Sequence, residues 1–149
     1  MEYKEVKSSD VPIELLLEAD PSKDNILSYL QDAWCFVAVD AQQIVGACVV
    51  SEVNCRHAEI YNMSVVPNRQ GKGLGTQLLV YVIAQLKSKK IERVELGTGT
   101  FGYQLTYYQR LGFRVECVVK NHFLQNYSKP IFENGIQHKD MLRLYLNLT

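Results

Sequence analysis

The sequence lacks an excess of either charge: sixteen Lys and Arg are matched by sixteen Asp and Glu over 149 residues. Such a balance builds no long-range field for nucleic acid or an anionic membrane surface, and none for a polycation. Long hydrophobic runs are also missing. The longest, such as AWCFVAV, ends at Asp40, far short of the roughly 20 residues a membrane-spanning helix needs. MEYKEVKSSD at the start has no apolar signal-peptide core. The four cysteines form no C-x-x-C pair, and three of them (Cys35, Cys48, Cys117) lie in strand-like apolar runs. They read as reduced core residues of a cytoplasmic protein. Cys55 and His57 are two apart with no second ligand pair, so no metal is expected. Without repeats, low-complexity tracts or linkers, residues 1–149 read as one domain.

What is present is a succession of short strands and helices. Residues 2–8 alternate as a first strand, PIELLLEA follows a proline suited to a helix start, and a second short helix is predicted over residues 22–31. WCFVAVD, IVGACVVSEV and residues 57–66 are rich in Val, Ile and aromatics, and predict an antiparallel three-strand meander. Pro67 ends its last strand. Apolar residues at 74, 78, 79, 82, 83 and 86 recur at helical spacing. IERVEL predicts a strand, residues 103–111 a helix closed by Gly112, FRVECVVKNHFL a long strand, SKPIFENGIQHKD a loop, and residues 141–148 a final strand. The order implies a mixed α/β sheet with helices on both faces. The final strand either pairs across a homodimer or completes the sheet.

Between the meander and the long helix lies QGKGLG, with three glycines in six residues. A helix beginning near Leu74 presents unpaired N–H groups at the positive end of its dipole, and glycines let an anion lie against them. Gln70, Arg69 and Lys72 offer side-chain donors at the rim. A Walker A loop is excluded, because Lys72 is followed by Gly73 rather than Ser or Thr. A dinucleotide fingerprint would need glycine where Thr76 stands, although Gly71 and Gly73 match and Glu95 lies at a distance suited to a ribose.

Gln70-Gly71-Lys72-Gly73-Leu74-Gly75 also matches Q/R-x-x-G-x-G/A. With Met63-Ser64-Val65-Val66-Pro67 before it, the stretch resembles the acetyl-CoA-binding motif of the GNAT superfamily of N-acetyltransferases. Tyr108-Gln109-Arg110-Leu111-Gly112-Phe113 is similar to that family's Y-x-x-x-G-F signature. The resemblance implies a GNAT fold: a mixed, mostly antiparallel sheet of six to seven strands, with a β-bulge and splay between the fourth and fifth. It implies acetyl-CoA as co-substrate, its pyrophosphate on Gln70, Gly71, Lys72, Gly73, Leu74, Gly75 and Thr76, and its pantetheine arm on the main chain of Met63 and Val65. The Met63 N–H would be the oxyanion donor, Glu59 or a water chain the general base, and Tyr108 the general acid, selected over Tyr107 by motif register.

The reaction implied is direct attack of a primary amine, small or peptide-borne, on acetyl-CoA in a ternary complex. Acceptor contacts would come from residues 22–31, Trp34 and residues 122–140, with His122, Glu133 and His138 in the last segment. One departure stands out: the asparagine many members place seven residues before the tyrosine is Phe101 here. That substitution motivates a second reading, a catalytically silent acyl-CoA-binding sensor.

Overall fold

Residues 34–65 alternate Val, Ile, Cys and aromatic side chains, and they form the centre of a four-stranded antiparallel meander. β1 (Glu2–Val6) pairs with β2 (Trp34–Asp40), β2 with β3 (Gln43–Asn54), and β3 with β4 (His57–Val65). The β2–β3 turn places Ala41 and Gln42 at φ 50° and 65°, the two left-handed positions that match a two-residue hairpin to strand twist. The computed structural model describes residues 1–148. They divide into two compact units, Met1–Glu92 with Leu148, and Arg93–Asn147.

The first unit has helices on both faces of its sheet, and the strand period decides which residues each helix covers. Cys35, Val37, Ala47 and Val49 pack with Leu15, Leu16, Ile26 and Leu30 of α1 (Ile13–Leu16) and α2 (Lys23–Leu30). Ala38 and Val45 pack instead with Leu74 of α3 (Leu74–Ser88). Gly46 lets α3 approach, since a Cβ there would lie 2.8 Å from Leu74 Cδ2. In α3 the expected stripe is buried at Leu74, Leu78, Leu79, Val82 and Leu86, while Ile83 is half-buried. Ser22 caps α2 by accepting from Asn25 N–H at 3.1 Å.

The second unit holds β5 (Arg93–Gly99), α4 (Tyr103–Arg110), β6 (Arg114–Val119), α5 (His122–Asn126), the hairpin β7 (Phe132–Glu133) and β8 (Ile136–Gln137), and β9 (Met141–Asn147). β9 runs antiparallel to both β5 and β6 and lies between them. Both its edges are occupied, so it completes a sheet and has no free edge to offer a second copy. Arg93 bonds Glu95 at 3.1 Å and Glu116 at 2.6 Å and lies over the Tyr145 ring, while Arg143 reaches Glu95 at 3.3 Å. Glu95 is therefore a member of an ion network on β5, not a ribose ligand.

Three expectations are corrected. The long strand predicted over FRVECVVKNHFL stops at Val119, because Asn121 takes φ 62° and gives its N–H to Asp140 Oδ1 at 2.8 Å, and α5 follows. The loop predicted at SKPIFENGIQHKD contains the β7–β8 hairpin, turned by Asn134 and Gly135 at positive φ. Cys117 is not a core residue: β6 is exposed at all six positions, being paired on one side alone, and a register shift between Val115 and Cys117 bulges it at Glu116. Cys35 and Cys48 are buried as expected. Among the described residues no helix is long and apolar enough to cross a membrane.

Candidate active site

The glycine loop owes its shape to two left-handed residues. Gly71 has φ 76° and Gly73 φ 82°, and beyond the adjacent residues no atom lies within 4 Å of where a Cβ would stand at either. Glycine is demanded by backbone conformation here, not by crowding. Gly73 is the N-cap of α3 and carries no side-chain cap. The first bond of the helix runs from Gln77 N to Gly73 O at 3.1 Å, so the N–H groups of Leu74, Gly75 and Thr76 precede the ladder, at the positive end of a 15-residue helix. That is the donor set an anionic phosphate needs.

The polar side chains of the loop hold it in place. Gln70 Nε2 donates to Val65 O at 2.9 Å, Lys72 Nζ to Asn68 O at 3.3 Å, and Arg69 Nη1 to Asp40 Oδ2 at 2.7 Å. The Arg69 guanidinium beside Asp40 holds that carboxyl below its ordinary range. Arg69, expected at the rim of the anion site, is a brace between β2 and the loop. Gln70 likewise ties the loop to the end of β4.

β4 presents two different faces. Ala58, Ile60, Asn62 and Ser64 are buried, whereas Glu59, Met63 and Val65 are half-buried and Tyr61 is exposed. The pairing with β3 slips by one residue between Val49 and Val50, leaving Tyr61 as a bulge two positions before Met63. Val66 N–H is given to Val45 O on β3 at 3.0 Å. Successive N–H groups of an extended chain point to opposite edges, so those of Val65 and Met63 point away from β3. Glu59, Met63 and Val65 thus share one face, and the two main-chain donors share one edge.

Behind that strand lies a polar chain that sequence reading missed. Asn62 Nδ2 donates to Leu16 O at 2.9 Å and to Tyr29 OH at 3.0 Å, and Ser64 Oγ donates to Asn62 Oδ1. Tyr29 OH and Asn25 Nδ2 both donate to Asp20 Oδ2 at 3.0 Å, and the Tyr29 ring stacks on Tyr61 at 5.1 Å. Asp20, Asn62 and Ser64 are all buried. The chain fastens α1 and α2 to the bulged strand. The sequence signal was the polar alternation of Asn62 and Ser64 with apolar neighbours, on the face that α1 and α2 cover.

In the second unit Tyr108 lies on α4, buried at 7% exposure, with its ring 4.9 Å from Tyr107 and 5.6 Å from Phe113, both edge-on. Gly112 takes φ 101° after α4, and Phe113 N–H returns to Tyr108 O at 3.1 Å. The Y-x-x-x-G-F spacing therefore fixes both the end of the helix and the packing of the tyrosine. Phe101 stacks on the His138 ring at 4.1 Å. His122 stands on α5 and bonds Asn126.

A family model for the acetyltransferase (GNAT) domain matches residues 31–115. The chain is 39% identical over 143 residues to an uncharacterised N-acetyltransferase, YvbK, of Bacillus subtilis, covering 95% of this chain and 92% of that protein. It is similar to the structure of an IAA acetyltransferase from Bacillus cereus, with a TM-score of 0.93, 34% identity and 99% of both chains covered. A GNAT acetyltransferase from Elizabethkingia anophelis, solved with acetyl-CoA bound, matches with a TM-score of 0.93 and 37% identity, over 99% of this chain and 97% of that one. The chain therefore belongs to the GNAT acetyltransferase family, as an N-acetyltransferase.

Proposed function

We propose that the chain moves the acetyl group of acetyl-CoA to a primary amine by direct attack within a ternary complex. The observation that carries this reading is the pair of left-handed glycines feeding an uncapped helix. The acetyl-CoA bound by the similar Elizabethkingia protein supports it. The pyrophosphate lies against the main chain of Gly71, Gly73, Leu74, Gly75 and Thr76, with Gln70 and Lys72 flanking. Two diphosphate charges are met by oriented amides rather than by arginine, a match of anion to helix N-terminus.

The thioester supplies an activated acyl group, so no covalent enzyme intermediate is needed. Met63 N–H donates to the carbonyl oxygen as negative charge develops on it, and Val65 N–H holds the pantetheine arm as an added strand would. Their shared direction away from β3 supports both roles. The acceptor must lose a proton before or during attack, to Glu59 or to water ordered beside it. Tyr108 protonates the departing thiolate, whose basicity is comparable to that of a phenol. The reaction is proposed to take place in the cytoplasm.

The test follows free thiol release from acetyl-CoA against a panel of amines, with calorimetric CoA titration alongside. Tyr108→Phe keeps the ring packing and removes only the hydroxyl, so kcat should fall about 10²-fold or more while CoA affinity stays within about twofold. Glu59→Gln separates a carboxylate base from a water chain: only the former loses turnover. CoA binding with no turnover on any amine would sink the transferase reading and leave the sensor.

A further inference from the structure

The segment between β6 and β9 joins Glu133 and His138, which the resemblance named only as separate acceptor contacts, into one hydrogen-bonded pair. His138 is 7% exposed, and its Nε2 lies 2.8 Å from Glu133 Oε1. An ionised carboxylate only accepts, so Nε2 carries the proton and donates. The ring is stacked on Phe101 at 4.1 Å and 9° and lies 5.5 Å from Phe123, which fixes the plane in which Nε2 points. Its other nitrogen, Nδ1, is buried and has no hydrogen-bond partner among the described residues. A histidine kept only for packing would bond both nitrogens or give way to an apolar ring. Here the one ring nitrogen with a partner is the one that meets Glu133.

Glu133 in turn lies over Gly102, the N-cap of α4. A Cβ on Gly102 would stand 2.5 Å from both carboxylate oxygens, and Gly102 holds φ 106°. The helix it begins carries Tyr108 six residues later, about 9 Å along the axis, and helical side chains lean back towards the N-terminus. The Glu133 side chain keeps 35% of its surface exposed. It is thus an oriented, solvent-facing carboxylate at the end of α4 towards which Tyr108 leans. Exposed apolar side chains stand on the same two segments: Ile136, the cross-strand partner of Glu133 and on its face, is 58% exposed, and Tyr103, next to Gly102, is 70% exposed.

We propose that Glu133, aligned by His138, binds the ammonium of the acceptor, and that the acceptor is a small aralkylamine whose apolar body covers Tyr103 and Ile136. The carboxylate supplies the charge complement, and an exposed aromatic beside it favours a cation carried on an apolar group over a naked polycation. This assignment rests on the acetyltransferase reading and names the substrate class of that site. Glu133 acts on the acceptor directly. His138 is a positioning residue, because it reaches the acceptor only through Glu133.

The test is calorimetric titration of phenethylamine into the CoA-saturated protein, which needs no turnover. Wild type should bind phenethylamine at least tenfold tighter than spermidine, and Glu133→Gln should weaken phenethylamine at least tenfold with CoA affinity unchanged. His138→Phe keeps the stacking and removes the donor, and should weaken the amine several-fold. His138→Gln, whose amide nitrogen can replace Nε2, should restore most of the loss. No phenethylamine binding by wild type, a preference for spermidine, or Glu133→Gln binding within twofold of wild type overturns the proposal. Amine binding that depends on Glu133 but is followed by no acetyl transfer overturns the catalytic reading and keeps this one. Transfer with an unchanged amine KM in Glu133→Gln does the reverse.

Discussion

Replacing Gly73 by alanine isolates what the loop is for. The residue sits at φ 82° and ψ 1°, and beyond its chain neighbours nothing in the protein lies within 4 Å of the added methyl. Steric cost within the protein is therefore nil, and only the left-handed backbone penalty remains, about 1–2 kcal/mol for an L-residue. For a chain of this size that corresponds to a fall in Tm of about 3–8 °C. Gly73→Asn should fall less, since asparagine tolerates this region better. Ligand binding is a separate matter, because the open space beside Gly73 is where the phosphate is proposed to lie. Both variants should weaken CoA about tenfold or more, the methyl or amide group intruding on the anion and the strain turning the Leu74–Thr76 amides aside. Thermal unfolding and calorimetric CoA titration on wild type and both variants separate the two effects. If the Gly73→Ala protein loses the calculated stability yet binds CoA within twofold of wild type, the glycines serve to turn the chain, and the pyrophosphate assignment is wrong.

Other outcomes follow from buried and charged groups. Asn62→Ala removes three hydrogen bonds behind β4, worth about 1 kcal/mol each, and should lower stability by about 3 kcal/mol in denaturant unfolding; a loss below about 1 kcal/mol would mean the network relaxes around the gap. Burial tends to raise the Glu95 carboxyl, but bonds and charge from Arg93 and Arg143 outweigh it and hold it below 4.5. A carboxyl lowered on folding stabilises the protein above its unfolded value and loses that contribution as pH falls through its folded value. Wild-type stability should therefore drop more steeply than that of Glu95→Gln as pH falls below about 5, with parallel curves refuting the pairing. Burial, with the Glu5 charge adding to it, pushes the Cys35 thiol up to about 11, and burial pushes Cys48 higher still, whereas Cys55 and Cys117 are exposed. At pH 8 a thiol reagent should modify the two exposed cysteines in the native protein and all four after denaturation; rapid labelling of Cys35 or Cys48 would contradict the packing.

Much of this was readable from residue order. The meander at residues 34–65 follows from β-branched and aromatic runs with period two, and α3 from its apolar stripe, because each element covers a hydrophobic layer of its own. The glycine loop and the Y-x-x-x-G-F stretch were legible because each demands specific backbone angles, at Gly71, Gly73 and Gly112. The failures share a cause: a local rule lost to a partner distant in sequence. Asn121 broke a run that reads as strand because Asp140 waits for its N–H. Arg69, expected beside an anion, instead meets Asp40 at 2.7 Å. The Glu133–His138 pair was visible only as single residues, since its floor is made by the missing side chains of Gly99 and Gly102. The Asn134-Gly135 turn was the available clue that residues 132–137 fold back on themselves.

β6 has a consequence for behaviour at high concentration. Its outer rim leaves peptide groups unmatched along a valine-rich segment, the kind of surface on which another chain can template itself into fibrils. The extra residue at Glu116, anchored by Arg93 at 2.6 Å, kinks that rim and plants a charge in it. Loss of this one acidic guard should favour self-association along the rim of β6.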